Sequence, residues 1–410
     1  MEFEIKRIGE ICKKVCSGGT PSSSNPDYYN GGIPWLNTNE VNFCNIYSTT
    51  KTISEEGLNN SAAKYIPVNS VIVAMYGVTA GKSAVAKIPL TTNQACCNLV
   101  IDEEKAHYQY VYYFLKLQND NLNKLANGGA QQNLNSVIIK KYKITLPDLS
   151  TQRRIASILS AYDNLIENNT RRIQLLEQMA ENLYKEWFVR FRFPGYEKAE
   201  FENGMPKGWK VEKLGDWGIT LDTGNRPKGG IDDTLSDGIP SLGAESIKDL
   251  ASYDYSSTKY IPRDFYDNMR RGKNTGNDIL LYKDGAYIGK VTLFRDNFPF
   301  TEYAINEHVF FISPKEEDYK IYLYFTLHQD AYFTLMQNLN RNAAQPGLSR
   351  PDIERVKMVI PSKEVISAFN KQIDPMLSNI FKMANENALL TKQRDLLLPR
   401  LMSGKLEVKQ

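Results

Sequence analysis

The sequence predicts an α+β fold in which two duplicated α/β domains are separated by a pair of long antiparallel coiled-coil helices with pseudo-twofold symmetry. Two observations lead to this prediction. Short motifs of the first half return in the same order in the second half, and each half ends in a long heptad pattern of apolar residues. The chain has 410 residues, of which 42% are hydrophobic and 24% charged, which is enough for two globular domains and their connecting helices.

The predicted elements occupy five consecutive segments. The first globular domain is residues 1–148, where β-rich apolar runs alternate with turn clusters of Gly, Ser and Pro. A central spacer helix follows at 149–192, and the Pro and Gly residues of 193–208 mark a linker. Residues 209–361 form the second globular domain, and 362–410 form a C-terminal spacer helix and tail.

Matched motifs carry the internal repeat. Ile33-Pro-Trp-Leu36 returns as Ile239-Pro-Ser-Leu242, and Lys64-Tyr-Ile-Pro67 returns unchanged as Lys259-Tyr-Ile-Pro262. Because the matches are colinear, they indicate a duplicated domain rather than chance. Further matches in the same order are Val71-Ile-Val-Ala-Met-Tyr-Gly77 with Ile279-Leu-Leu-Tyr-Lys-Asp-Gly285, Tyr110-Val-Tyr-Tyr-Phe-Leu115 with Tyr322-Leu-Tyr-Phe-Thr-Leu327, and Pro147 with Pro361.

Heptad seams predict the two spacer helices. From Ile155 onward, apolar residues recur in alternating steps of four and three, and a shift of 214 positions, as between Pro147 and Pro361, places an equivalent seam in the last segment. About forty helical residues make a rod of about 60 Å, which is too long for the core of one domain and therefore needs a partner helix. The predicted seam residues are Ile155, Leu159, Ile166, Ile173, Leu176 and Leu183 in the first helix and Phe369, Ile373, Ile380, Leu390 and Leu397 in the second.

Polar residues and one proline interrupt these seams. Asn169 is expected to face Asn387 and Arg394 across the helix pair, since polar seam positions can fix the register of a coiled coil. Pro375 removes a backbone donor, so the second helix is expected either to start near Asp374 or to kink there.

Composition excludes several classes of protein. The net charge of +3 is compatible with nucleic-acid binding only if basic residues cluster locally. No apolar run reaches transmembrane length and the first residues lack the layout of a signal peptide, so a cytoplasmic protein without a membrane partner is expected. Five cysteines without a CxxC pair and three scattered histidines predict free thiols and no metal site.

Two motifs resemble catalytic sites but depart from them. Gly77-Val-Thr-Ala-Gly-Lys-Ser83 has three residues between Gly77 and Gly-Lys, where a phosphate-binding P-loop needs four. Asn25-Pro-Asp-Tyr28 is similar to the Asn-Pro-Pro-Tyr motif of adenine methyltransferases but lacks the second proline, and no G-x-G-x-x-G loop accompanies it. The chain is therefore predicted to be non-catalytic and to hold no cofactor, and a self-sufficient methyltransferase would have to bind S-adenosylmethionine alone.

Three Gly-containing polar loops recur at matched places in the two domains. Glycine lets the backbone approach a ligand, and Asn, Gln, Arg and Lys present the groups that read base edges or neutralise phosphate. A single such loop could be a solvated turn. Because three loops recur at matched places while their sequences differ, they favour one domain scaffold that presents two different nucleic-acid-reading surfaces. Candidate DNA contacts are Thr20, Ser22, Tyr76, Thr79, Lys82, Gln131, Gln132 and Asn133 in the first domain and Asn225, Arg226, Lys228, Lys283, Tyr287, Lys290, Arg341, Asn342 and Gln345 in the second.

Over essentially its full length the chain resembles the specificity subunit of a type I restriction–modification system. The resemblance rests on the duplicated domain-plus-helix plan and on short motifs in their family order. Thr223-Gly-Asn-Arg-Pro227 departs from the family's Gly-Gly-Thr-Pro pattern, and Ser362-Lys-Glu-Val365 departs from its Gln-Arg-Arg-Ile entry to the helix. The matching motifs are Ile8-Gly-Glu-Ile11, Ser17-Gly-Gly-Thr-Pro-Ser22, Ile33-Pro-Trp-Leu36, Pro147-Asp-Leu-Ser-Thr-Gln-Arg-Arg-Ile-Ala156, Glu186-Trp-Phe188, Met205-Pro-Lys-Gly-Trp209 and Leu398-Pro-Arg-Leu-Met-Ser-Gly404.

The resemblance implies a division of labour among subunits. Each globular domain would be a target-recognition domain for one half of a gapped, asymmetric double-stranded DNA site, and the paired helices would set the gap. Modification (methyltransferase) subunits with S-adenosylmethionine would dock on the helices, and a restriction (translocase/nuclease) subunit using ATP and Mg could join them. The alternative is a protein-binding coiled-coil scaffold without sequence-specific DNA readout.

Overall fold

The chain folds as two compact units. Unit 1 comprises Met1–Leu165 together with Leu390–Gln410, and unit 2 comprises Ile166–Leu389. Each unit contains one globular domain and a segment of each long helix. The computed structural model describes residues 3–127, 134–231, 235–285, 287–339 and 347–408.

The first globular domain is built on two sheets. Its strands in the described residues are β1 (Glu4–Arg7), β2 (Cys12–Ser17), β3 (Tyr29–Leu36), β4 (Cys44–Ile46), β5 (Lys51–Ile53), β6 (Val71–Ala74), β7 (Ser83–Ala86), β8 (Thr91–Thr92), β9 (Cys96–Ile101) and β10 (Lys143–Leu146). One sheet has the order β2-β9-β6-β7-β4 and the other β5-β3-β8, while β1 pairs with β10. Every residue of β6 and β7 is buried, which is why these strands are continuous runs of apolar and small residues.

The second globular domain repeats this plan. After the short strands β11 (Phe201–Glu202) and β12 (Met205–Pro206), its described strands are β13 (Lys210–Lys213), β14 (Ile219–Thr223), β15 (Ile239–Leu242), β16 (Lys259–Ile261), β17 (Asn277–Tyr282), β18 (Val291–Arg295), β19 (Ala304–Ile305), β20 (Val309–Pro314) and β21 (Lys357–Ile360). The sheets have the orders β14-β20-β17-β18 and β16-β15-β19, and β13 pairs with β21.

Strand order and direction match between the two domains, with β4 as an extra strand of the first. The motif at Ile33 lies on β3, whose pairing with β8 is parallel, with Trp35 opposite Thr91. Its repeat lies on β15, which pairs in parallel with β19, with Ser241 opposite Ala304. In each three-stranded sheet the other pairing, β3 with β5 and β15 with β16, is antiparallel. The predicted duplication and the α+β class are therefore confirmed.

Helices complete both domains and connect them. Those in the described residues are α1 (Glu55–Asn59), α2 (Tyr108–Leu117), α3 (Asn119–Asn127), α4 (Ser136–Lys141), α5 (Leu149–Tyr184), α6 (Leu214–Trp217), α7 (Arg263–Asn268), α8 (Lys320–Leu327), α9 (Asp330–Leu339), α10 (Arg350–Glu354) and α11 (Lys363–Met402). A π-helical turn at Lys185–Val189 continues α5. Within the described ranges, no helix combines the length and apolar character needed to cross a membrane.

The start of α5 is fixed to the first domain by Asp148 and Gln152. Asp148 caps the helix, because its carboxylate accepts hydrogen bonds from the Ser150 hydroxyl (2.6 Å) and the Thr151 N–H (3.0 Å), and these bonds lower the pKa of Asp148. The buried Gln152 amide donates to the Pro147 carbonyl at 2.8 Å and accepts from the His107 N–H at 2.9 Å. The Gln-Arg-Arg motif therefore begins with a structural glutamine.

α11 is continuous through Pro375. The helix begins at Lys363, so the expectation that it starts near Asp374 is wrong. Proline removes the donor that would bond the carbonyl of Lys371, and Lys371 is exposed, so water can bond that carbonyl instead. The helix ends at Met402, before Gly404, whose φ of 73° lies in the left-handed region that glycine adopts readily.

The two long helices pair in antiparallel fashion inside unit 2. Asn169 Nδ2 donates to Glu386 Oε2 at 3.1 Å, while further along α5 the Tyr184 ring lies 6.5 Å from the Phe369 ring. Residue numbers fall along α11 as they rise along α5, so the two helices are antiparallel. Of the predicted seam residues in this unit, Ile173, Phe369, Ile373 and Ile380 are buried, whereas Ile166, Leu176 and Leu183 are half-buried.

In unit 1 the beginning of α5 meets the end of α11. Ile155 and Leu159 are fully buried in one apolar cluster with Leu398 and Leu401. This cluster also contains the core of the first globular domain, including Tyr110 and Tyr113 of α2. The predicted seam residues Leu390 and Leu397 are half-buried.

The polar seam residues have different partners from those expected. Asn169 bonds Glu386, rather than Asn387 or Arg394. Asn387 Nδ2 donates to the Thr170 hydroxyl at 3.3 Å. In an antiparallel pair, side chains next to the seam, such as Glu386 and Thr170, also meet across the two helices. The heptad pattern of the seam does not identify these neighbours.

Arg394 forms a nearly buried ion pair in unit 1. Its Nη1 lies 2.6 Å from Asp163 Oδ1, and the side chains of Arg394 and Asp163 are 11% and 18% exposed. The Tyr113 hydroxyl donates to the other oxygen of Asp163 at 2.6 Å. One carboxylate thus joins α2, α5 and α11.

Candidate nucleic-acid interface

The first loop of the first domain follows β2 and is pressed against β8. A Cβ at Gly18 would overlap the Thr92 carbonyl oxygen, so only glycine allows this approach. The Trp35 indole donates to the Gly19 carbonyl at 2.9 Å and holds the next residue in place. As a result, Thr20 and Ser22 are exposed at the surface.

The first loop of the second domain is built in the same way after β14. A Cβ at Gly224 would overlap the Ile305 carbonyl oxygen. The loop then presents three exposed candidates, Asn225, Arg226 and Lys228. With Phe265 and Glu307 they line a cavity of about 750 Å³.

The loop between β6 and β7 presents apolar and polar groups together. Val78 is 96% exposed and Tyr76 39%. The Lys82 ammonium donates to the Asn42 side-chain oxygen at 2.8 Å. Thr79 is buried and donates to the Thr38 carbonyl at 2.8 Å, so it stabilises the loop and is not available to a base. We therefore exclude Thr79 from the DNA contacts.

The matching loop between β17 and β18 is cationic and aromatic. Lys283 donates to the Glu307 carbonyl at 3.0 Å, and its ammonium lies 5.3 Å from the centroid of the Phe310 ring. Tyr287 is 62% exposed. Lys290 Nζ lies 3.1 Å from Asp249 Oδ1, a surface ion pair that a phosphate could replace at little cost.

The third pair of candidate loops is not described. Gln131, Gln132, Asn133, Arg341, Asn342 and Gln345 lie outside the described residues.

The structure brings the first and second loops of the second domain together at Glu307. Arg226 forms an ion pair with the Glu307 carboxylate, and Lys283 bonds the Glu307 carbonyl. Burial opposes ionisation of Glu307, but hydrogen bonds from its own backbone and from Arg226 lower its pKa. Glu307 therefore holds two cationic candidates, Arg226 through its ionised carboxylate and Lys283 through its backbone carbonyl.

His308 extends this cluster. Arg226 Nη2 lies 3.2 Å from His308 Nε2, and a guanidinium can only donate, so Nε2 accepts and the proton is on Nδ1. His308 Nδ1 then donates to Asp284 Oδ1 at 2.6 Å. The hydrogen-bonded series of Asp284, His308 and Arg226 therefore orients the Arg226 guanidinium in addition to Glu307.

Sequence reasoning missed Gln94, Glu307 and His308. The Thr20 hydroxyl bonds the Gln94 side-chain oxygen, just as Arg226 bonds Glu307 in the other domain. A signal was present, because Asn93-Gln94 and Asn306-Glu307 occupy matched places after β8 and β19.

One side-chain cluster of unit 2 offers ligands of the kind that metals use. Single ligand atoms of Glu177, Glu181 and His328 lie within 4.8 Å of one another. His328 Nε2 is 3.3 Å from Glu181 Oε1, so an ion pair explains two of the three groups. Desolvation by burial, opposed by His328 and reinforced by Glu181, raises the pKa of Glu177 to about 7.

Glu177→Gln is expected to stabilise the protein at pH 8 by about 1–3 kcal/mol and to have little effect near pH 5. The folded pKa of Glu177 lies above its ordinary value of 4.5, so the fold favours the protonated carboxyl. The protonated Glu177 carboxyl therefore contributes fully to the stability of the fold below about pH 4.5, and this contribution is lost as the pH rises through 7. Thermal unfolding of both proteins across this pH range measures the difference.

A matched control for this prediction is Glu104→Gln, which removes an exposed carboxylate. Its melting temperature should follow that of the unaltered protein at each pH. Equal stability of Glu177→Gln and the unaltered protein at pH 8 would contradict the assignment.

Comparisons with known proteins agree with the duplicated plan. Residues 1–178 and 206–393 match the family described as "Type I restriction modification DNA specificity domain". The MjaIX specificity subunit of Methanocaldococcus jannaschii is 28% identical over 435 aligned residues, which cover 100% of this chain and 94% of that protein. The EcoR124I/EcoR124II specificity subunit of Escherichia coli is 31% identical over 203 residues, 47% of this chain and 49% of that protein.

One solved structure supports the fold. The crystal structure of a type I restriction–modification S subunit from M. genitalium superposes with a TM-score of 0.60 and 16% identity, covering 98% of this chain and 96% of that chain. At this level of identity, the likeness concerns the fold alone.

Proposed function

The chain belongs to the family of type I restriction–modification DNA specificity subunits, and we propose that it recognises a bipartite, gapped DNA site without catalysing a reaction itself. The observation that carries this proposal is the pair of first loops, those after β2 and β14. Their backbones make the same close approach to a neighbouring strand, but their side chains differ. Gly18 and Gly224 make the same close approach, while Thr20 and Arg226 follow at equivalent places. One scaffold with two sets of reading groups suits an asymmetric site.

The proposed contacts divide into two kinds. Arg226, Lys228, Lys283 and Lys290 supply positive charge to the second half-site, where phosphate contacts fix the position of the duplex. In the first domain the exposed candidates among the described residues, Thr20, Ser22 and Tyr76, are neutral and suit base edges more than phosphates. The two half-sites should therefore differ in the salt dependence of their binding.

The proposed partners supply the chemistry. Modification subunits would bring S-adenosylmethionine and methylate adenine, and a restriction subunit would bring ATP and Mg. The paired helices α5 and α11 would dock these subunits and set the gap. The alternative, a protein-binding scaffold, would retain the helix pair but show no preference among DNA sequences.

Mapping methylated adenines in DNA exposed to the assembled complex tests the proposal. We expect one motif made of two different half-sites separated by a fixed gap. Methylation without such a motif, together with equal binding of random and genomic DNA, would support the scaffold instead.

Lengthening the helix pair by one heptad is expected to widen the gap by about 3 base pairs. Seven helical residues add about 10 Å, and base pairs are stacked about 3.4 Å apart. The insertions belong between Arg172 and Leu183 of α5 and between Ile373 and Met383 of α11, which preserves the seam in both helices. Methylation mapping reads both half-sites and the gap together.

The control for this design is the same heptad placed after Gly404, outside α11. It should leave the gap unchanged. An active variant with the lengthened helices and the original gap would show that the helices only pack.

A further inference from the structure

The turn that follows β8 is duplicated in detail after β19. The Asn93 N–H donates to the Leu36 carbonyl at 2.9 Å, and the Asn306 N–H donates to the Leu242 carbonyl at 3.0 Å. In both turns the asparagine side chain accepts from the N–H two residues later, at 3.2 Å in the first domain and 2.9 Å in the second. Asparagine thus fixes the same turn twice.

The first loop is bonded to this turn in both domains. The Gly19 N–H donates to the Thr92 carbonyl at 2.9 Å, and the Gly224 N–H donates to the Asn306 carbonyl at 3.3 Å. These contacts require the glycines at 18 and 224, where a Cβ would overlap the opposite backbone. The backbone therefore holds Thr20 beside Gln94 in the first domain. In the second domain it holds Arg226 beside Glu307 in the same way.

The side chains at this meeting point differ. In the first domain the Thr20 hydroxyl bonds Gln94, and both side chains are exposed. In the second, Arg226 bonds Glu307, whose Oε2 is buried with no hydrogen-bond partner in the described part of the chain. The fixed backbone and the changed side chains are the arrangement expected of positions that set specificity.

Resting on the proposed function, we propose that the pairs Thr20–Gln94 and Arg226–Glu307 are specificity-determining positions, each of which selects one base of its half-site. Gln94 offers a donor and an acceptor, the pattern that suits the N6 and N7 edge of adenine. Thr20 holds its oxygen and so orients the amide.

In the second pair Arg226 contacts the base and Glu307 is a positioning residue. Arg226 contacts Glu307 and His308 through Nη2, so in the described part of the chain Nη1 carries N–H groups that can donate to a guanine edge. The O6 and N7 atoms of guanine are both acceptors, so an arginine donor suits guanine at this position. Because the glutamate and histidine fix the guanidinium plane, they sharpen its selectivity.

The test measures methylation of a DNA library in which both half-sites are randomised, using the complete complex. Gln94→Glu loses the amide donor, so at one position of the first half-site the preference should change from adenine to cytosine. Glu307→Gln should reduce the guanine preference at one position of the second half-site by about tenfold. Both substitutions keep the shape of the side chain, and each should leave the other half-site unchanged.

Glu316→Gln is the matched control, since it breaks a surface ion pair with Lys363 in the same domain without touching the pair at Arg226. Unchanged base preferences in both variants with normal methylation would overturn this inference while leaving the proposed function in place. Uniform weakening over all library sequences would also overturn it. Lack of any gapped motif with the unaltered chain would instead overturn the proposed function.

Discussion

Arg394→Met is expected to destabilise unit 1 by about 3–5 kcal/mol, because it leaves the charge of Asp163 nearly buried without its partner. Asp163 is 18% exposed, and its second oxygen is already occupied by the Tyr113 hydroxyl. Methionine keeps most of the volume of the arginine stem, so lost packing contributes little. Denaturant unfolding monitored by tyrosine and tryptophan fluorescence measures the loss.

A double substitution separates the charge from the packing. Asp163→Asn still accepts the Tyr113 hydrogen bond and removes the unpaired charge, so the double variant with Arg394→Met should recover most of the lost stability. Arg400→Met is the control, since Arg400 is exposed on the same helix. If the double variant were no more stable than Arg394→Met, the ion pair would not be the cause.

Gly224→Ala is expected to lower the stability of unit 2 by about 1–3 kcal/mol or more and to abolish selection of the second half-site. The new Cβ would overlap the Ile305 carbonyl, which belongs to β19 and cannot retreat easily. The loop must therefore move outward and carry Arg226 away from Glu307. Thermal unfolding and methylation of half-site variants measure the two effects.

Gly347→Ala is the control for the loop substitution. Its Cβ would meet the nearest atom, Asp284 Cβ, at 3.4 Å, an ordinary contact, and should change stability by less than about 0.5 kcal/mol. An unchanged melting temperature and unchanged half-site selection in Gly224→Ala would show that the close approach does not hold the loop.

The sequence predicted the architecture because repeats and heptads report it directly. Two motifs that return in order, such as those on β3 and β15, imply the same strand order, and the structure confirms this. The seam pattern located both long helices, and of the two alternatives at Pro375 the start near Asp374 is wrong, because α11 begins at Lys363. A proline disrupts only one hydrogen bond of a helix whose other turns are stabilised by packing.

The candidate site was less accessible to sequence reasoning. Thr79 and Thr20 are the same residue type in similar loops, yet one is buried against the Thr38 carbonyl and the other is exposed. Gln94 and Glu307 were missed because their importance depends on a close backbone approach from residues more than seventy positions away. Such contacts are set by the tertiary fold and leave no local periodicity.

The composition of unit 1 also bears on how its core is assembled along the chain. Its core joins Ile8 and Tyr110 to Leu398, Leu401 and Met402. Unit 2, by contrast, is one continuous segment, Ile166–Leu389. The residues of α11 that contribute to the core of unit 1 therefore follow every residue of unit 2 in the chain. Unit 2 can form from one uninterrupted stretch of polypeptide, whereas unit 1 combines two separate stretches.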